Sequence, residues 1–222
     1  MTLYYNKAPS ARTRVRRHHE RGSYERETIE AILDEGLVGH LAFAVDGQPY
    51  AIPMLYARNG HELYLHGSPA SRLLRGAIDG VPLCLTVTLT DGLVLVRSAF
   101  RHSVNYRSVV ALGAGRAITD REEKLEAMRM LVDQIVPGRS QDARGPNDVE
   151  LKATTMVAMT ITEASAKVRS GPPIDGEEDL GIPAWAGVLP LALAPGVAIP
   201  DEFCAAGIPD YIAAYERPRS GA

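Results

Sequence analysis

Three Asx-Gly dipeptides, Asp46-Gly47, Asn59-Gly60 and Asp91-Gly92, punctuate runs rich in Val, Leu, Ile and Thr, and this spacing constrains the fold more than any other feature. Both central residues of a type I′ turn need positive φ, which Asn, Asp and Gly tolerate best, so such a dipeptide between apolar runs predicts a β-hairpin. Residues 38–45, 48–57 and 62–66 read as an antiparallel meander, and 82–89 with 93–99 as a second hairpin. Residues 109–118 and 154–161 add two strands. Six or seven short strands, with helices inserted singly and not after every strand, predict a mainly β protein, a closed or nearly closed antiparallel barrel with added helices.

The helices are marked by their ends. Residues 23–35 place Ile29, Ile32 and Leu33 at helical spacing before Gly36, a C-cap residue. Asp120 and Glu123 form a capping-box pair opening a helix over 120–136 that Pro137-Gly138 stops. Its stripe of Leu125, Met128, Leu131, Val132 and Ile135 reads as core-facing. A short helix over 68–75 would take Ser68 as N-cap and Pro69 as its first residue. Here a strand hands Gly67, the hydroxyls of Ser68 and Ser71, and the Arg72 guanidinium to a helix start, a composition suited to cradling a phosphate. A capped surface helix with no ligand would look the same.

Residues 97–108 carry a donor at nearly every position and read as a polar loop between strands. His102, Asn105 and Tyr106 there, with arginines beside them, suit recognition of a polar heteroaromatic and its phosphate, although a merely solvated loop would have the same composition. Trp185, the sole tryptophan, lies in a Pro- and Gly-rich tail, where it anchors the tail or lines a pocket.

Other chemistries find little support. Gly113-Ala114-Gly115-Arg116 sits within a strand and lacks the third glycine of a dinucleotide fingerprint, and no G-x-S-x-G elbow is present. His61 and His66 fall on opposite faces of a strand, and the two cysteines have neither disulfide-framework nor metal-ligand spacing, so no metal site is expected and a reducing cytoplasm is. A formal charge of -3 argues against nucleic acid, although Arg12, Arg14, Arg16 and Arg17 make a locally basic arm that reads as solvated. No apolar leader core and no run of about 18 apolar residues occurs, so neither export nor a membrane span is expected. With 45% hydrophobic residues, 222 residues suffice for one core.

Val38-Gly39-His40-Leu41-Ala42-Phe43, Gly47-Gln48-Pro49-Tyr50, Leu63 through Ser68, His102-Ser103-Val104-Asn105-Tyr106-Arg107-Ser108-Val109, Glu150 through Thr155 and Trp185-Ala186-Gly187-Val188-Leu189-Pro190 together resemble one family. It is the pyridoxamine 5′-phosphate oxidase-related flavoproteins, in the flavin-nucleotide-binding branch that includes nitroimidazole-resistance proteins. The Ser-x-Asn-Tyr-Arg-Ser segment is the most specific part.

The resemblance implies an antiparallel split β-barrel that forms a homodimer, with one FMN in each of two clefts between subunits. It assigns the FMN phosphate to Ser68, Ser71 and Arg72 beside His66 and Gly67. The backbone of Ile52, Pro53 and Met54 would face the ring, with Ser103, Asn105 and Tyr106 coming from the partner or the cleft wall. Leu73 and Leu74 replace the second cation of the oxidase's Ser-Arg-Lys pattern, leaving Arg75 as the next basic residue. The end of the chain, Tyr215-Glu216-Arg217-Pro218-Arg219, lacks the oxidase's arginine-rich substrate clamp, which argues against true pyridoxamine-phosphate oxidation.

The expected organisation is a basic arm over 1–22, an FMN-binding split barrel over 23–170, and an extended arm over 171–222 that packs on the barrel or the partner. The expected function is an FMN-dependent oxidoreductase that reduces a small electron-poor substrate by hydride transfer through flavin N5, with transient NAD(P)H as donor. Arg97, Asn105 and Tyr106 are the polar candidates beside the ring. His66 and His102 are the candidate acid–base groups, His66 matching the histidine implicated in the nitroimidazole-resistance proteins. A strand-end hydrogen bond would explain His66 equally well. A non-catalytic flavin-storage protein would use the same cradle, and a haem-binding relative is a third reading because the split barrel is reused for haem.

Overall fold

The computed structural model describes residues 7–217, so the outermost parts of both arms, Pro218 and Arg219 among them, lie outside the described residues. In chain order the elements are β1 (Gly22–Ser23), α1 (Arg26–Glu35), β2 (Val38–Val45), β3 (Gln48–Leu55), β4 (Ala57–Asn59) and β5 (Glu62–Gly67). Then come α2 (Arg72–Ile78), β6 (Leu83–Leu95), β7 (Ser103–Ala117), α3 (Arg121–Ile135), α4 (Arg139–Asp142), α5 (Asp148–Ala153), β8 (Thr155–Arg169), β9 (Gly187–Pro190) and α6 (Asp210–Ala213).

All strand pairs are antiparallel. The sheet runs β3-β2-β6-β7-β8-β5-β4, with β1 added on β8 and β9 on β6. Its two end strands, β3 and β4, do not pair with each other, so the barrel is split, as the family resemblance implied. The inward faces of β2, β5, β6, β7 and β8 meet around Leu41, Leu63, Leu65, Leu85, Val109 and Met159, all fully buried. Ile29, Ile32 and Leu33 of α1 close this core. Each contributes roughly 1.5–3 kcal/mol on burial, which holds a ten-residue helix too short to persist alone in water. On the outer face of β5 and β8, Tyr64, Met156 and Ala158 pack against Ala127 and Leu131 of α3.

Only one of the three dipeptides turns the chain as expected. Asp46 and Gly47 take φ of 51° and 79° and join β2 to β3 in register from Val38↔Leu55 to Val45↔Gln48. Between β4 and β5 the pairing Asn59↔Glu62 moves the two-residue turn to Gly60-His61. Asp91-Gly92 is no turn: β6 runs straight through it with a bulge between Thr90 and Gly92. Both halves of β6 pair with β7, and β9 covers the far edge from Gly92↔Pro190 to Leu95↔Gly187. Asp91 spends its carboxylate on Arg107 at 2.7 and 3.0 Å.

Other boundaries shift for similar reasons. The polar loop is only 96–102, because β7 begins at Ser103 and takes Asn105 and Tyr106 into the sheet. β8 continues to Arg169, eight residues past the expected end, since β7 offers it a partner as far as Tyr106↔Arg169. Gly36 caps α1 without positive φ; a Cβ there would lie 2.5 Å from both Tyr56 Oη and Val87 Cγ1, so close packing requires the glycine. Gly113 and Gly115 are likewise packing glycines, against the Thr160 carbonyl oxygen and, at 2.8 Å, the Ala77 carbonyl oxygen.

The described part of the basic arm lies along the barrel, although Arg12, Arg14, Arg16 and Arg17 all remain exposed as expected. Arg12, Ser10 and Thr13 bond Glu163, Lys167 Nζ donates to the Arg17 carbonyl at 3.1 Å, and Thr13 is 4% exposed. These bonds hold the Glu163 carboxyl below the usual range, Ser10 and Arg12 contributing most. Among the described residues no helix is long and apolar enough to cross a membrane.

Candidate functional site

The cradle is built differently from the sequence expectation. Ser71, not Ser68, caps α2, its Oγ accepting from Leu74 N at 3.4 Å. Pro69 lies before the helix, in a turn where Ser71 N donates to Ser68 O at 2.9 Å and Ser68 Oγ accepts from Ala70 N at 3.2 Å. The proline ring cannot supply a helical donor, but the Ser68 side chain prefers this local bond to its own backbone, and the helix starts three residues later. Arg72 becomes the first helical residue. Its guanidinium lies over the Tyr50 ring, 5.4 Å from the centroid, and makes no ion pair with a described carboxylate. Arg75 Nη2 donates to Ala70 O at 3.0 Å, which brings the second cation, unassigned from sequence, to the same turn.

Tyr50 ties this turn to β3, stacking on Phe43 at 5.3 Å between centroids. Ile52 and Pro53 follow on β3 and are exposed, with Met54 half-buried, along the unpaired outer edge of the sheet. The turn, Arg72, Arg75 and the β3 edge therefore form one continuous surface carrying two guanidiniums and two hydroxyls beside an apolar strand.

His66 points the other way. It shares the outer face of β5 with Tyr64, and with Leu55 it lines a cleft of about 890 Å³ under α3. Leu125, Met128, Val132 and Ile135 line the opposite wall. Only Ala127 and Leu131 of α3 are buried, so most of the stripe expected in the core faces this open cleft. No described residue hydrogen-bonds the His66 ring. Arg129, Arg139 and Arg144 edge the cleft; Arg129 pairs with Glu126 and Asp133, Arg144 with Glu150, and Arg139 Nη1 donates to the Tyr211 hydroxyl at 3.0 Å. Nothing in the periodicity of α3 distinguishes a cleft wall from a core face, which is why these residues escape sequence reasoning.

The third group lies apart. Asn105 and Gly115 are ten residues apart on β7, and Gly115 touches Ala77 of α2, so Asn105 lies toward the other end of the barrel from α2. Arg97 is committed to Asp175, with Nη1 at 2.6 Å and its backbone N–H at 2.8 Å, contacts that hold the Asp175 carboxyl below its usual range. Asn105 is 8% exposed and bonds Arg169 and the Gly171 carbonyl. His102 Nδ1 lies 3.1 Å from the Ser98 carbonyl. Ser103 and Tyr106 are half-buried on β7, and Trp185 is 67% exposed beside Gly187. Within one chain, therefore, Ser68, Ser71, Arg72, Ile52, Pro53 and Met54 come together, whereas Arg97, His102, Ser103, Asn105 and Tyr106 do not join them.

A family model described as pyridoxamine 5′-phosphate oxidase matches residues 25–168. No curated protein matches the chain. Among solved structures, the flavocytochrome Anf3 from Azotobacter vinelandii is 40% identical over 93% of this chain and 97% of that one, with a TM-score of 0.86. The FAD and haem binding protein from Mycobacterium smegmatis is 35% identical over 87% of this chain and 96% of that one, at 0.82. A candidate 5-nitroimidazole antibiotic resistance protein from Bacteroides thetaiotaomicron, 21% identical over 66% of this chain and 86% of that one at 0.56, shares the fold alone. The split barrel, the matched core from β2 to β8 and these two likenesses lead to one conclusion: the chain belongs to the pyridoxamine 5′-phosphate oxidase family.

Proposed function

We propose that this protein is a redox protein that binds a flavin nucleotide and a haem, working as a homodimer. The observation that carries the reading is that two relatives, at 40% and 35% identity over nearly the whole chain, are a flavocytochrome and an FAD and haem binding protein, and that this chain offers one suitable surface for each group. The second relative favours FAD over the FMN expected from a single phosphate cradle.

The residues present fit both groups. For a flavin phosphate, the 68–72 turn offers two serine hydroxyls and the guanidiniums of Arg72 and Arg75, and the exposed edge of β3 offers a flat apolar strand to a ring. For a haem, the cleft under α3 offers apolar walls, an imidazole with no protein partner at His66, and arginines at the rim for propionates. His66 would be the residue to hold the iron, and Arg139, bonded to no described carboxylate, would be the partner of a propionate. A bound flavin would supply hydride chemistry at N5 and a bound haem single-electron transfer.

What the chain itself does is hold and orient. Tyr50 lies against the Arg72 guanidinium, Ser71 organises the first turn of α2, and Leu55, Met128 and Val132 line the cleft into which the exposed His66 ring projects. Because His66 and Gly67 are consecutive, the two surfaces meet at the end of one strand. The dimer is supported by the placement of Tyr106 on the outward face of β7, toward the other end of the barrel from α2: it can reach a ring bound at β3 only from a second copy. The role of a flavin-dependent reductase of a small electron-poor substrate, with NAD(P)H as donor, stays within this reading.

The test is a pair of variants followed by absorbance. His66→Ala should lose the Soret band and keep the flavin bands, and Arg72→Ala should do the reverse. Loss of neither band in either variant would refute both assignments, and light scattering showing a monomer with full cofactor content would refute the dimer.

A further inference from the structure

The mouth of the barrel remote from α2 encloses a cavity of about 630 Å³ that the two cofactor surfaces leave unused. Leu37, Leu89, Val168 and the arm residues Leu191 and Leu193 make its walls mostly apolar. Into it comes Arg169, at the end of β8 and 8% exposed. A guanidinium remains charged at any physiological pH, and burying one without a counter-charge costs several kcal/mol. Arg169 nevertheless forms no ion pair with a described carboxylate. Its bond goes to Asn105 Oδ1, a neutral acceptor whose amide donates to Gly171 O at 3.1 Å. Burial and then the like charge of Arg21 push its pKa down, against a smaller opposing effect of Tyr106.

The carboxylates in the same cavity are already taken. Glu35 and Asp91 both bond Arg107, at 2.8 and 2.7 Å through Nη2. Arg217 reaches in from the arm, donating to the carbonyls of Gln134 and Glu35, and its buried Nε has no partner. Two carboxylates against three guanidiniums leave the lining with one surplus positive charge.

We propose that this cavity is a binding site for a small organic monocarboxylate with an apolar body, its carboxylate held by Arg169. The single surplus charge matches a monoanion, whereas a dianion such as phosphate would also face Glu35 and Asp91. The guanidinium fork suits a planar carboxylate, Asn105 fixes the orientation of that fork, and the leucine and valine walls accept a hydrocarbon. The size lies within the usual range for small-molecule pockets.

Benzoate is a suitable probe, titrated calorimetrically into the protein as purified with its cofactors. Saturable binding is expected, weakened about 10- to 100-fold in Arg169→Met, the range for loss of a charge-assisted bidentate contact. Leu193→Glu, at a position 71% exposed on the cavity rim, should abolish binding by supplying a tethered carboxylate, and it decides the matter if Arg169→Met does not fold. Absence of saturable benzoate binding, undiminished affinity in the variants, or displacement of benzoate by an equal concentration of inorganic phosphate would overturn the proposal.

Discussion

Replacing Arg72 by alanine isolates the flavin cradle more cleanly than any other change. The side chain is exposed, bonded to no described carboxylate, and held only by its approach to the Tyr50 ring. Folding therefore loses at most a cation–π contact of about 0.5–1 kcal/mol, and the variant should fold with a melting temperature within a few degrees of the parent. Binding loses a charge-assisted contact to phosphate worth about 1.5–3 kcal/mol, a rise in flavin Kd of about 10- to 150-fold. Arg72→Lys keeps the charge but not the planar fork and should fall between. Arg75→Ala should cost less, because that guanidinium already spends a donor on Ala70 O. Fluorescence titration of flavin into apoprotein reads all three. An unchanged Kd in Arg72→Ala would refute the cradle, and a larger loss in Arg75→Ala would assign the phosphate to the other cation.

Three further outcomes follow from the packing and charge. Gly36→Ala should cost about 1–3 kcal/mol in urea unfolding, because its Cβ would meet Tyr56 Oη and Val87 Cγ1 at 2.5 Å in a filled core; a neutral result would mean that α1 can shift. Arg107→Met should cost about 2–4 kcal/mol by leaving Glu35 and Asp91 facing each other half-buried, and adding Glu35→Gln should restore part of it. Glu150, its carboxyl held down to about 2 first by Arg144 and then by the Asn147 backbone, stabilises the fold above its ordinary pKa of 4.5 and loses that contribution as pH falls toward 2. The melting temperatures of parent and Glu150→Gln should accordingly differ by a constant amount above pH 4.5 and converge below it; a gap that persists at pH 2 would show that the pair does not titrate as described.

The sequence carried the fold well where local chemistry decides and poorly where partners decide. Asp46-Gly47, the α1 stripe and the Asp120 cap, whose Oδ1 accepts from Glu123 N at 2.8 Å, are local, and each took its expected place. Asp91-Gly92 has the same composition as Asp46-Gly47 but became a bulge, because β7 and β9 pair along both halves of β6, a long-range fact absent from any window of residues. The basic arm is similar: its arginines are exposed as expected, but the docking of the arm on β8 through Glu163 and Lys167 is a long-range contact that no window of residues carries.

The candidate site was legible in its residue types more than in its grouping. Ser68, Ser71 and Arg72 are together because they are contiguous. Arg97, Asn105 and Tyr106, chosen for composition, belong to the other end of the barrel, where Arg97 fastens the arm through Asp175 and Asn105 serves Arg169. His66 stood out early, but its surroundings did not, since Leu125, Met128, Val132 and Ile135 look identical in sequence to a buried stripe.

The central claim is that one chain carries a flavin and a haem at opposite sides of the β5 end. Quantifying the ligands released from freshly purified protein, by absorbance of the intact sample and mass analysis of the extract, tests it most directly. The account predicts one flavin nucleotide and one haem per chain. Protein that is colourless after reconstitution with both, or that takes up flavin fully while refusing haem at His66, would contradict it.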